Sequence, residues 1–276
     1  MEYTELSCYL DFQSYSFKNQ EHIREIIISK INEICGIEKN LILPLQEFGE
    51  VIVKTELVPK EVLINDSKLV KVVNDSRTFG IPNKRSFLTS DLLKFSITVK
   101  VPNYVDPNFE KMITDVDPNF FENVTIEENN RILINIAFQK RIFDIVVTAN
   151  LSQFGSLPVV KGIILQDEDE HSTGIKEIYS SNLYTASEYA KKWGYPLLRN
   201  IDFHTTWNWV TKQKDYLTGF SNSRTGRALS SFSYLLGKDY TNLLFRSVMG
   251  IEALYAKGTS SLQEQVREKS QVVMIV

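Results

Sequence analysis

The feature that most restricts this chain is a change of hydrophobic period near residue 185. Before it, apolar residues come mainly in short β-branched runs; after it, they recur at helical spacing. Val51-Ile52-Val53, Val62-Leu63-Ile64 and residues 69–73 and 95–101 read as strands, with Asn65-Asp66 and Pro82-Asn83 supplying turn chemistry. Residues 131–138 and 142–149, separated by Gln139-Lys140-Arg141, predict a β-hairpin, and residues 159–165 a further strand. One helix interrupts this half. Ile23, Ile26, Ile27, Ile31 and Ile34 share a face, and Gly36 stands where a C-terminal cap belongs.

Past the change, Thr185-Ala186-Ser187-Glu188 has the spacing of a capping box and predicts a short helix closed by Gly194 and followed by Pro196. Four helices then follow from Asp202. Phe203, Trp207, Val210 and Leu217 form one stripe; Ala228, Leu229, Phe232, Leu235 and Leu236 form a second, after Ser223 as N-cap. Leu244, Phe245, Val248, Met249, Ile251 and Tyr255 make the third. Leu262, Val266 and Val273 make the fourth, opened at Ser260 or Ser261 with Gln263 or Glu264 completing a capping box. Short connections favour antiparallel packing of neighbours. Alternating β/α units are missing, which disfavours a parallel sheet. The expected fold class is α+β: a mixed, mostly antiparallel β-rich domain over residues 1–184 and an all-α bundle over 185–276.

At 276 residues the chain suits two cores better than one. A net charge of -3 gives no global field toward nucleic acid, so any such contact must be local. Cys8 and Cys35 are the whole cysteine complement, without metal-ligand spacing, and read as two reduced thiols. The acidic Met1-Glu2-Tyr3-Thr4-Glu5 lacks the build of a signal peptide, and no apolar run approaches the ~18 residues of a membrane span. The expected location is the cytoplasm. Nucleotide-binding loops, nucleophile elbows and zinc-spaced clusters are missing too, which disfavours a metabolic enzyme and implies no cofactor.

Three stretches of the helical part form a recognisable series: Arg224-Thr225-Gly226-Arg227-Ala228-Leu229-Ser230-Ser231-Phe232-Ser233-Tyr234-Leu235, then Leu244-Phe245-Arg246-Ser247-Val248-Met249-Gly250-Ile251-Glu252-Ala253-Leu254-Tyr255, then Leu262 through Gln271. Together they resemble the Apea-like branch of the HEPN superfamily (higher eukaryote and prokaryote nucleotide-binding domains), over about residues 200–271. The Gly250-to-Tyr255 word is the most specific part. The resemblance implies a helical bundle that dimerises, RNA as substrate or ligand, and a place in prokaryotic phage-defence or toxin–antitoxin systems. Many members are metal-independent endoribonucleases whose signature is an Arg followed by a His after four to six intervening residues. In this branch the signature falls on a helix beyond the segment corresponding to 262–271. The chain instead stops on Val272-Val273-Met274-Ile275-Val276, and we read that apolar end as a truncation that leaves the chain without nuclease activity. The alternative is a non-catalytic interaction or sensor protein whose β-rich domain binds a partner and whose helices dimerise.

Arg199 and His204 match the Arg-x4-His spacing and are the catalytic candidates, although they stand ahead of the first helix of the bundle. The same stretch admits a structural reading, with Asp202 as helix cap and His204 in the first turn. Glu252 falls inside the third apolar stripe on a helical wheel, so its carboxylate calls for a partner, and Arg224 or Arg227 is the expected one, as a structural ion pair. Asp167-Glu168-Asp169-Glu170-His171 offers oxygen and nitrogen ligands but lacks the glycine and spacing of a calcium loop; no metal is expected. Asp106-Pro107-Asn108-Phe109 and Asp117-Pro118-Asn119-Phe120 read as two similar turns. Lys140-Arg141 at the hairpin tip, and Lys191-Lys192 beside Trp193, are the places where charge and aromatic groups meet as in single-strand binders, and each also reads as ordinary surface. Trp207-Asn208-Trp209 must send one indole inward and one outward.

Overall fold

Alternation shapes the N-terminal sheet. In β1 (Tyr3–Asp11), Leu6, Cys8 and Leu10 all point to one face; in β3 (Leu92–Lys100), Leu93, Phe95 and Ile97 do the same. The antiparallel register sets Leu6 opposite Ile97, Cys8 opposite Phe95 and Leu10 opposite Leu93, and all six side chains are buried. Leu6, Leu10, Leu93, Phe95 and Ile97 each contribute about 2 kcal/mol of burial free energy. On the opposite face Lys94 Nζ lies 5.7 Å from the centroid of the Tyr9 ring. With β2 (Val51–Val58), β4 (Lys161–Gln166) and β5 (Thr173–Gly174), the sheet has the order β2-β3-β1-β4-β5, every neighbouring pair antiparallel. The fold class is α+β. Cys8 is a free, buried thiol, and burial pushes it well above its ordinary range.

These elements belong to a computed structural model that describes residues 3–11, 51–58, 62, 65, 67, 69–70, 92–100, 125–159, 161–166, 173–174, 179–195, 199–213, 223–236 and 240–255. The expected helix over 21–34, both Asp-Pro-Asn-Phe turns, the acidic run 167–171 and the fourth bundle helix lie outside the described residues, as does Cys35. No described helix is long and apolar enough to cross a membrane.

The expected hairpin is instead one helix, α1 (Ile126–Ser152). Ile134, Phe138, Ile142, Ile145 and Ala149 are buried at steps of three and four, while Ile132 and Ile136 face solvent. Those two exposed isoleucines, alternating with Ile134, imitate strand patterning. The supposed tip, Gln139-Lys140-Arg141, has no residue suited to the positive φ of a tight turn. A helix start is present in the sequence: the amide of Thr125 donates to Glu128 Oε2 at 2.9 Å, and the Glu128 amide donates to Thr125 Oγ1 at 3.2 Å, closing a capping box. These bonds and that from the Thr125 hydroxyl hold the Glu128 carboxyl below its usual range. Arg131 then pairs with Glu127 at 2.8 Å, and Gln139 donates to Asn135 at 2.8 Å, each across one helical turn. A second correction concerns the runs from Val62 and from Leu69. Val62, Leu69 and Val70 are helical, with Leu69 fully buried; apolar runs that short do not distinguish strand from helix.

The chain divides into two compact units, residues 1–146 with 159–176 and residues 147–158 with 177–276, so the division falls within α1. In the second unit, α2 (Ser181–Lys192), α3 (Phe203–Val210), α4 (Arg224–Tyr234) and α5 (Tyr240–Tyr255) succeed one another. A buried polar cluster ties the end of α1 to this set. Ser156 Oγ donates to the Ala149 carbonyl at 2.8 Å, and Asn150 Nδ2 and Ser180 Oγ both donate to the Leu157 carbonyl. The Ile201 amide donates to the Ser152 carbonyl at 2.8 Å. The Tyr179 amide and Asn182 Nδ2 donate to the carbonyls of Leu236 and Leu235, satisfying acceptors at the end of α4. Gly155 completes the turn after α1 with φ +75°.

Candidate functional site

The C-terminal end of α2 is built by its backbone. The Tyr195 amide donates to the Ala190 carbonyl at 2.9 Å and the Gly194 amide to the Lys191 carbonyl at 3.3 Å, the two bonds of a Schellman motif. Gly194 takes φ +67°, the left-handed conformation that this closure requires. The motif holds Tyr195 just beyond the helix, while Tyr189 and Trp193 stand one turn apart on the same side. All three rings are turned to solvent, at 58% for Tyr189, 68% for Trp193 and 65% for Tyr195. Lys192 Nζ lies 6.0 Å from the Trp193 ring centroid, and Lys191 pairs with Glu188 at 2.7 Å. The helix itself begins at Ser181, one turn before the expected Thr185. Thr185 Oγ1 donates to the Ser181 carbonyl inside the helix, and Ser180 precedes the first turn with its hydroxyl on Leu157.

Arg199 and His204 do not share a helix. Arg199 lies in the connection before α3 and His204 in its first turn, both exposed. Between them Asp202 caps α3, accepting from the Thr205 amide at 2.8 Å and the Thr205 hydroxyl at 3.0 Å. Those bonds, the amide first, hold the Asp202 carboxyl below its usual range. His204 meets the Phe203 ring edge-on, with centroids 6.4 Å apart. The capping role anticipated for Asp202 is the one the structure shows. Trp207 is buried, stacked on Phe203 at 6.5 Å, and Trp209 faces outward.

α4 opens at Ser223, whose hydroxyl accepts from the Gly226 amide at 2.9 Å. It packs against α5 through small residues. A Cβ at Gly250 would stand 3.2 Å from Ser231 Cβ, so the two helices approach closely there. The arginine that reaches across is Arg246, its guanidinium carbon 3.9 Å from the centroid of the Tyr234 ring. Of the third apolar stripe, Val248, Met249 and Ile251 are exposed, and the side chains of Leu244, Phe245 and Tyr255 lie outside the described residues. Arg224 and Arg227 are exposed as well. The side chain of Glu252 lies outside the described residues.

No protein-family profile, curated protein or solved structure matches the chain. The site therefore rests on its own geometry. Among the described residues no group of three or more His, Cys, Asp or Glu side chains could hold a metal ion. Arg246 over Tyr234 carries no periodic signal in the sequence. The Schellman closure was legible in Gly194, and the exposure of the rings around it was not.

Proposed function

We propose that this chain is a HEPN-type protein of a prokaryotic defence or toxin–antitoxin system that engages RNA without cleaving it. The observation that carries the reading is the close α4–α5 approach at Gly250 and Ser231. The two stretches with the strongest resemblance, 224–235 and 244–255, fall on these neighbouring helices, and Gly250 is the residue whose missing side chain lets them meet. The non-nucleolytic part rests on the sequence, where the family's Arg-x4-6-His signature does not follow the segment 262–271. A second reading, a non-catalytic interaction protein that dimerises through its helices, is favoured by Val248, Ile251 and Leu254, which present exposed apolar groups along α5.

Incubating the purified 276-residue chain with end-labelled structured and unstructured RNA tests the first reading. Binding at low salt without cleavage is expected. Cleavage that disappears in His204→Ala would assign catalysis to Arg199 and His204 and overturn the non-nucleolytic part. Sedimentation addresses the second reading: Ile251→Lys should disrupt a dimer held by α5, and a wild-type chain that stays monomeric would remove it.

A further inference from the structure

We propose that the C-terminal end of α2 is a stacking platform for single-stranded nucleic acid. The inference deepens the RNA-directed reading by naming its surface, and it rests on that reading only in placing RNA ahead of DNA.

Three large aromatic rings within seven residues, each more than half exposed, are an unusual expenditure of apolar surface. Among the described residues nothing buries them. Backbone bonds, and not ring burial, hold them in place: the helical ladder carries Tyr189 and Trp193, and the Schellman closure at Gly194 carries Tyr195. At 1.5 Å per residue, Tyr189 and Trp193 are offset by about 6 Å along the helix axis. The backbone that carries the rings is thus preformed, so ordering on binding falls on side-chain rotamers alone.

Its charge selects the occupant. The Lys191 ammonium is engaged by Glu188, while Lys192 stands beside the Trp193 ring as a cation for the platform. Both lysines lie in the last turn and oppose the negative end of the helix dipole, which would otherwise repel a phosphate. Surfaces built to be buried against protein are depleted in lysine. Exposed rings flanked by cations instead suit a polyanion with flat faces, because every base can stack whatever its sequence while the cations meet the backbone. Duplex bases are already stacked and cannot use such a platform, so the ligand is single-stranded.

The test uses the full chain and fluorescence anisotropy with a labelled twelve-nucleotide oligouridylate, its oligothymidylate counterpart and a duplex of the same length. Both single strands are expected to bind, the uridylate at least as tightly as the thymidylate, and a duplex that binds as tightly as either would overturn the platform. Trp193→Ala should weaken single-strand binding at least about five-fold, Trp193→Phe should retain most of it, and Lys192→Ala should lower the salt slope by roughly 0.7. Circular dichroism should be unchanged for all three variants, since both side chains face solvent. Wild-type RNA binding that Trp193→Ala leaves unaltered would overturn the platform and leave the RNA-directed reading standing. A wild-type chain that ignores both single strands would overturn both; if Trp193→Ala then abolished self-association, the surface would belong to a protein partner.

Discussion

Replacing Gly155 by alanine examines how the second unit is held together, and its effect can be worked out against a built-in control. Gly155 and Gly194 both adopt left-handed backbone, at φ +75° and +67°. For any residue with a Cβ that conformation costs about 1–2 kcal/mol, and stiffening of the unfolded chain returns roughly 0.4–1 kcal/mol of it. Gly194→Ala should therefore cost about 1 kcal/mol, because nothing lies within 4 Å of the added carbon. At Gly155 the same carbon would stand 2.7 Å from Tyr184 Cα, 2.9 Å from the Leu183 carbonyl oxygen and 3.0 Å from the Tyr184 nitrogen. These are backbone atoms of α2, so relief requires moving the helix, which adds about 1–3 kcal/mol of overpacking. The expected total is about 2–4 kcal/mol, a urea midpoint lowered by on the order of 2 M. The assay is selective, because Trp193, Trp207 and Trp209 are the chain's three tryptophans and all lie in residues 177–276. Tryptophan emission therefore reports unfolding of this unit. A Gly155→Ala midpoint within error of Gly194→Ala would refute the close approach of the post-α1 turn to α2.

Two further outcomes check the local readings. Ile134→Lys should lower stability by several kcal/mol while Ile136→Lys stays within about 0.5 kcal/mol of wild type, because only Ile134 lies on the buried side of α1; equal effects in calorimetry would favour the hairpin, where both residues share a face. Asp202→Asn should lower the unfolding midpoint at pH 7 and lose that difference as the pH falls toward 2. The folded carboxyl titrates below its ordinary value of about 3.9, so the stability it contributes is present above that value and lost as pH drops through the folded one. A gap independent of pH would show that the Asp202 charge is not what the cap uses.

The sequence by itself determined whatever depends on neighbours within four or five residues. Asp202 and Ser223 were identifiable as caps, Gly194 as a helix stop, and Trp207 and Trp209 as opposite in exposure, whereas the pairing of β1 with β3 was not. The Thr125–Glu128 capping box belongs to the same class and was legible as the start of α1. The tertiary structure decided which of several apolar residues are buried. It chose Ile134 over Ile132 and Ile136, which makes one helix of what reads as two strands. It began α2 at Ser181, where contacts from Ser180 to Leu157 and from Tyr179 to Leu236 outweigh a capping box at Thr185. It set Gly250 and Arg246 against α4 while Val248, Met249 and Ile251 stay exposed, and it left Tyr189, Trp193 and Tyr195 exposed beside Lys191 and Lys192. The division has one physical cause. Caps and turns are settled by hydrogen bonds whose partners are fixed by chain connectivity, whereas burial is a competition among all apolar groups for the same interior, decided only once distant segments have met.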